Sequence, residues 1–246
     1  MSGGGQVTDQ TTWKRAVAEA AVREVSDGVT VGLGTGSTAE QLIHALAARV
    51  HEGLMVRGVA TSERTQALAL SLGIPLVGLD EVDHLDLSFD GADQVTLPAL
   101  DALKGHGGAL LREKLVAASS RYRIILVDAT KVVPALGAGM AIPVEVEQFG
   151  WRHTAARLAA PGCHITRRAQ PAIPGASADS DNPAPYITDG GHFILDLTFD
   201  EAPHVAELAA RIKAIVGVVD HGFFLGMTER VYIGGPTGVR YADRAR

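Results

Sequence analysis

Val29-Thr30-Val31-Gly32-Leu33-Gly34-Thr35-Gly36-Ser37-Thr38 decides the fold. Its β-branched start reads as a short strand over 29–31. Glycines and hydroxyl residues follow, and then Leu42, Ile43, Leu46 and Val50 recur at helical spacing over about 38–50. Ser37 and Glu40 have capping-box spacing. Strand, glycine turn and helix in that order are the unit of an α/β layer. A helix that starts behind a glycine turn presents free N–H groups and a positive dipole end to an anion. The dinucleotide pattern Gly-x-Gly-x-x-Gly is broken by Ser37, and no Gly-Lys-Ser/Thr occurs. Two readings remain, a site for a single phosphate and a tight turn without a ligand.

The same alternation extends in both directions. Trp13, Ala16, Val17, Ala20 and Ala21 predict a helix over 12–25, with Thr12 as its N-cap. Strands are expected at 56–60, 74–77, 85–89 and 123–128, with helices at 63–72 and 108–119. The run Arg123-Ile124-Ile125-Leu126-Val127-Asp128 is apolar through its middle, as a strand buried on both faces should be. The expected fold class is α/β, a mostly parallel sheet flanked by helices.

The pattern changes near Pro143. A strand at 142–146, a helix at 149–160 and a strand at 164–169 precede a Pro-, Ser- and Asp-rich stretch, 170–185, that reads as an exposed, mobile loop. Asp189-Gly190-Gly191 predicts a hairpin between 186–188 and 192–197. A helix at 203–215 ends at Gly217, and strands at 218–224 and 230–234 finish the chain. Residues 142–217 read as a smaller α+β domain inserted before the last strands. Residues 1–141 plus 218–246 read as the main α/β domain.

At 246 residues and 46% hydrophobic, the chain can bury a sizeable core. The net charge of −6 argues against a nucleic-acid surface. The one cysteine, Cys163, allows no disulfide within the chain, and its sequence neighbour His164 is not the spatial pairing that a cysteine nucleophile needs. No secretory leader and no apolar run of about 18 residues are seen, which points to the cytoplasm and away from a membrane. The nine histidines show no ligand spacing, and no metal is expected.

Three expected parallel strands end in polar motifs: the loop at 32–38, Asp90-Gly91-Ala92-Asp93, and Asp128 with Lys131. In open parallel sheets, ligands bind beyond the carboxyl ends of the strands. Either aspartate alone could serve turn chemistry. Lys104-Gly105-His106-Gly107-Gly108 adds a cation that can hold a developing oxyanion, in a loop whose glycines permit close approach. A solvated surface lysine is the other reading. Glu113 lies in Arg112-Glu113-Lys114, a charged triplet that periodicity alone leaves on a solvent face. His106 reads as a loop spacer.

Taken in order, these motifs resemble type A ribose-5-phosphate isomerase. The segments that carry the likeness are 31–38, 90–93, 104–109, 111–114, 128–131, 142–146, 217–219 and 233–239, which span nearly the whole chain. The resemblance implies interconversion of D-ribose 5-phosphate and D-ribulose 5-phosphate through an enediolate, in the non-oxidative pentose phosphate pathway, with no metal and no cofactor. It implies a ferredoxin-like smaller domain and a homo-oligomer, a dimer or tetramer. Carried over by motif, Glu113 is the general base, Asp90 and Asp93 handle sugar hydroxyls and ring opening, and Lys104 stands beside the enediolate. Thr35, Gly36, Ser37, Thr38, Gly91, Ala92, Gly105, His106, Gly107, Lys131 and Lys14 are implied to bind substrate. Two positions depart from the family pattern. Gln94 replaces a glutamate, and His106 replaces a glycine, so His106 is expected to adopt a backbone shape normally left to glycine. The alternatives are a non-enzymatic sugar-phosphate sensor, which needs a DNA-binding module not seen here, and a related deaminase or CoA transferase with different motifs.

Overall fold

The computed structural model describes residues 4–171 and 183–245. In chain order its first elements are α1 (Gly4–Ala21), β1 (Thr30–Leu33), α2 (Ser37–His51), β2 (Arg57–Ala60), α3 (Glu63–Ser71) and β3 (Leu85–Gly91). Next come β4 (Gln94–Val95), β5 (Ala102–Leu103), α4 (Leu110–Ala118), β6 (Ser120–Asp128), β7 (Ile142–Val146), α5 (Trp151–Leu158) and β8 (Cys163–Arg167). The chain closes with β9 (Phe193–Phe199), α6 (Val205–Lys213), β10 (Val218–His221), β11 (Phe223–Phe224), β12 (Arg230–Gly235) and β13 (Gly238–Asp243).

The main sheet has the order β13-β12-β6-β3-β1-β2, parallel throughout except for β13 at one edge. Strands β1, β3 and β6 are therefore neighbours, and their parallel register brings their carboxyl ends to one edge: Leu33 lies opposite Phe89, and Gly91 opposite Leu126. Helices α1 and α2 cover one face through Val17, Ala21, Leu42, Ile43 and Leu46. On the other side Val116 of α4 packs with Val59 and Leu85. Gly32 makes that seat possible, because a Cβ there would lie 2.5 Å from Val116 Cγ1 and 2.7 Å from Ser88 Cβ.

The second sheet is antiparallel, in the order β10-β7-β9-β8. With α5 and α6 it forms β-α-β-β-α-β, the ferredoxin-like arrangement. Here the expected boundary shifts. Residues 218–224 do not form one strand of the main domain. Val218–His221 pairs with β7 and completes the second sheet, whereas Phe223–Phe224 joins a small third sheet, β11-β5-β4.

Other expectations shift locally. The first helix begins at Gly4, so Thr12 lies inside it and is no N-cap. Gly36, at φ 111°, caps α2, so the spacing of Ser37 and Glu40 forms no capping box; Glu40 instead pairs with Arg64. Residues 74–77 make only a bridge from Leu76 to Gly58, and 186–188 only one from Ile187 to Phe193. The turn at 189–191 is present, closed by Gly191 N–H donating to Thr188 O at 2.8 Å. Residues 172–182 of the expected mobile loop lie outside the described residues; its base is joined by Gln170 N–H donating to Ala184 O at 2.8 Å.

The Gly32 seat is testable. Gly32→Val forces branched carbons into Val116, and we expect a loss of about 1–3 kcal/mol, read as a lower urea midpoint at unchanged m. An unchanged midpoint contradicts direct packing of α4 on β1.

Candidate active site

The carboxyl ends of β1, β3 and β6 open into a cleft of about 560 Å³, counting its open mouth. One wall is the turn after β1 with the start of α2. Ser37, Thr38 and the first free N–H groups of a 15-residue helix face the cleft. Lys14 of α1 reaches over to donate to Ser37 Oγ at 3.0 Å, and Lys131 stands at the end of β6. Two cations, two hydroxyls and a helix N-terminus make an anion cradle. The turn is stiffened from behind: Thr35 Oγ1 lies 2.8 Å from Thr61 Oγ1 and donates to Ser62 Oγ at 2.8 Å, and Thr65 Oγ1 donates to Gly34 O at 2.9 Å.

The opposite wall is the lysine loop. Gly105 and Gly108 have φ of 105° and 84°, so the left-handed conformations fall on glycines. His106 is not among the positive-φ residues, so the expectation that it must adopt a glycine shape is overturned. Its N–H donates to Asp93 Oδ2 at 3.1 Å, and its ring Nε2 lies 3.0 Å from Ala141 O. The side chain thus turns toward Ala141 and is not among the residues that line the cleft. From the second sheet, Arg168 grips the loop, donating to Gly105 O at 2.8 Å and to His106 O at 3.1 Å while paired with Asp196. Gln94, the other departure, is buried and holds the 137–138 turn, accepting from Gly137 N–H at 2.7 Å.

At the cleft floor, Lys104 Nζ lies 3.1 Å from Asp90 Oδ2 and 3.2 Å from Glu113 Oε2, and donates to Gly91 O at 2.6 Å. Lys104 is 3% exposed and Glu113 4%. Burial lowers the lysine's affinity for its proton, but Asp90, Glu113 and Asp93 outweigh burial and raise its pKa. One ammonium cannot neutralise two carboxylates, and both carboxyl pKa values are raised, burial being the largest cause. Hydrogen bonds decide where the retained proton sits. Asp90 Oδ1 accepts from Gly91 N–H at 2.8 Å and Thr35 N–H at 3.2 Å, which favours its charged form. Glu113 Oε2 is buried and has no hydrogen-bond partner; the lysine stands close enough to attract it, but outside hydrogen-bonding angles. Glu113 is the group pushed up to about 8.

The structure thus brings Lys14, Thr35, Gly36, Ser37, Thr38, Gly91, Ala92, Asp93, Lys104, Gly105, Gly107, Glu113 and Lys131 to one cleft. Asp90 lies behind Lys104, in a smaller void that Phe224 also lines. Asp128, buried at the end of β6, also lines the cleft, and one of its oxygens caps the turn that carries Lys131. Its place at a strand end is the signal that singled it out in the sequence. Arg168, Thr61, Ser62 and Thr65 carry no such signal.

An α/β protein with an anion cradle facing a buried carboxyl–ammonium pair has the parts of an enzyme that moves a proton on a small phosphorylated substrate. The family model of ribose 5-phosphate isomerase A (phosphoriboisomerase A) matches residues 57–238. Ribose-5-phosphate isomerase A of Synechococcus sp. (strain JA-3-3Ab) is 49% identical over 92% of this chain and 94% of its own length. That of Thermomicrobium roseum is 46% identical over 95% and 94%. The solved ribose 5-phosphate isomerase A of Methanocaldococcus jannaschii superposes with a TM-score of 0.86 at 37% identity, covering 95% of this chain and 99% of that one. The chain belongs to the ribose-5-phosphate isomerase A family, whose members interconvert ribose 5-phosphate and ribulose 5-phosphate.

The raised pKa of Glu113 carries a stability cost with a defined sign. A carboxyl raised from 4.5 to about 8 favours its protonated form in the folded state. The cost is absent below pH 4.5, grows as the pH rises and is complete above about 8. Glu113→Gln removes it. We expect the Tm advantage of the variant to grow from near zero at pH 4.5 to about 5–10 °C at pH 9; a pH-independent difference contradicts the assignment.

Proposed function

We propose that this chain isomerises ribose 5-phosphate through an enediolate, with Glu113 as the base that carries the proton between C2 and C1. The single observation that carries the reading is the buried, unpartnered Oε2 of Glu113 beside Lys104, on the floor of the cleft whose rim is the anion cradle. A solved D-ribose-5-phosphate isomerase, 31% identical with a TM-score of 0.87, was determined in complex with phospho-erythronic acid, a phosphorylated sugar acid. That relative supports placing a sugar phosphate here.

In this mechanism the phosphate docks between Lys14, Ser37, Thr38 and Lys131, and its remote binding energy positions the reacting carbons. Asp93, which lines the cleft, handles the sugar hydroxyls and ring opening. Glu113 removes the C2 proton, and the C–H electron pair forms the C1–C2 double bond. The negative charge then develops on the C1 oxygen, beside the Lys104 ammonium. A proton then passes from the C2 hydroxyl to the C1 oxygen, the O2 electron pair closes the C2 carbonyl, and the C1–C2 double-bond electrons take the proton back from Glu113 at C1 to give the ketose. Asp90 acts through Lys104, which it holds in place. The resemblance and the family also support a cytoplasmic setting and a homodimer or homotetramer, which sedimentation velocity tests.

Glu113 must be ionised to act, so kcat/KM should rise with pH through a limb near 8. In a coupled assay with ribose 5-phosphate and EDTA, Glu113→Gln should lower kcat by about 10²–10⁴-fold with KM within a few-fold. Turnover near wild type would show that Glu113 is not the base.

A further inference from the structure

The triplet Arg112-Glu113-Lys114 has a use beyond its central residue. On a helix of 3.6 residues per turn, neighbours lie about 100° apart, so Arg112 and Lys114 project from opposite flanks of Glu113. Both reach aspartates of the segment that builds the second sheet. On one flank, Arg112 Nη2 donates to Asp189 O at 3.0 Å, and Nη1 lies 3.4 Å from Asp189 Oδ2. The same Oδ2 accepts from Glu63 N–H at 2.8 Å, at the start of α3. On the other flank, Lys114 Nζ donates to Asp220 Oδ1 at 2.6 Å and to His221 O at 2.5 Å. Lys213 of α6 holds the second oxygen of Asp220 at 2.8 Å.

The helix needs these anchors. At nine residues α4 is short, its N-cap Ala109 makes no side-chain cap, and Leu110 and Val116 are its only buried apolar residues. Isolated helices of this length are marginal in water. Its grip on the main sheet is a narrow stripe, which resists lifting better than rolling about the helix axis. Tethers on opposite flanks oppose rolling, the motion that would swing Glu113 away from Lys104.

We propose that Asp189 and Asp220 form a two-sided clasp by which the ferredoxin-like unit fixes the rotation of α4, and so positions Glu113 over the substrate. Both are positioning residues acting through Arg112 and Lys114. The proposal rests on Glu113 being the base. It gives the second sheet a part in the chemistry, since the residues that aim the base come from outside the main sheet. The charged and titratable groups facing Glu113 are Asp90, Asp93 and Lys104 from the main-sheet side and Tyr186 from the second unit. Releasing the clasp leaves all four in place and lets water reach Glu113.

The test compares Asp189→Asn, Asp220→Asn and the double variant with wild type and Glu113→Gln, using the full chain and ribose 5-phosphate. Each single variant should lower kcat about 10-fold, and the double about 100-fold, as misplacement of a base by roughly 1 Å does. KM should stay within about two-fold, because the phosphate cradle is untouched. The acid limb of kcat/KM should move down by roughly 0.5–1 pH unit as Glu113 gains water, a shift that loss of stability alone does not produce. Arg112→Gln, at a side chain 40% exposed, loosens one flank without a buried vacancy, and serves if Asp220→Asn fails to fold; it should show the same kcat loss and limb shift. A folded double variant, or Arg112→Gln where that does not fold, with wild-type kcat and an unmoved limb overturns the clasp. An active Glu113→Gln overturns the base assignment instead, so the two failures are distinguishable.

Discussion

A buried carboxyl group, Glu113, and a half-buried one, Asp90, share one ammonium, and the rest of the site follows from that shortage of positive charge. Lys104 can balance Asp90 or Glu113, not both. Backbone N–H groups from Gly91 and Thr35 commit the lysine's charge to Asp90. Glu113 is left with an unpartnered oxygen and a proton it holds into the neutral range. A carboxyl in that state suits proton transfer at carbon, because its basicity approaches that of the solution in which it works.

The fold supplies the three groups from separate segments and would scatter them without the parallel sheet. Asp90 ends β3, Lys104 follows β5, and Glu113 rides on α4. Gly32 lets α4 lie directly on the sheet, and Gly105 and Gly108 let the lysine loop turn tightly enough to face the turn after β1. The segments that build the second sheet contribute Arg168 at the lysine loop and the two aspartates on α4. The architecture is thus a main sheet that presents chemical groups and a smaller sheet that holds their carriers still.

Much of this was legible in the sequence. The β1 turn, the Asp90 motif and Asp128 lie at strand ends, and apolar runs bounded by polar motifs make strand ends readable. The helices were readable from periodicity, although their caps were not: Gly36, and not a hydroxyl residue, starts α2, because its positive φ matters more there than a side-chain acceptor. Glu113 was not legible from local pattern. A charged triplet on a helix normally faces water, and only the family likeness singled it out. Its flanking cations are spent on aspartates more than 75 residues away in sequence, and no local periodicity encodes such pairings. Strand β10 was misplaced for a similar reason, since its partner β7 lies across two helices and two strands of intervening chain. His106 was misjudged because the glycines beside it absorb the left-handed conformations of the loop.

Glu113 keeps its proton because Lys104 is already committed to Asp90. Isotope-edited infrared titration of the free protein, with glutamate carboxyls labelled and Glu113→Gln as the subtraction control, observes that proton directly. One glutamate carboxyl should lose its protonated C=O band with a midpoint near 8, and that band should be missing from the Gln variant. A Glu113 band that vanishes in the ordinary carboxylate range, near 4.5, contradicts it.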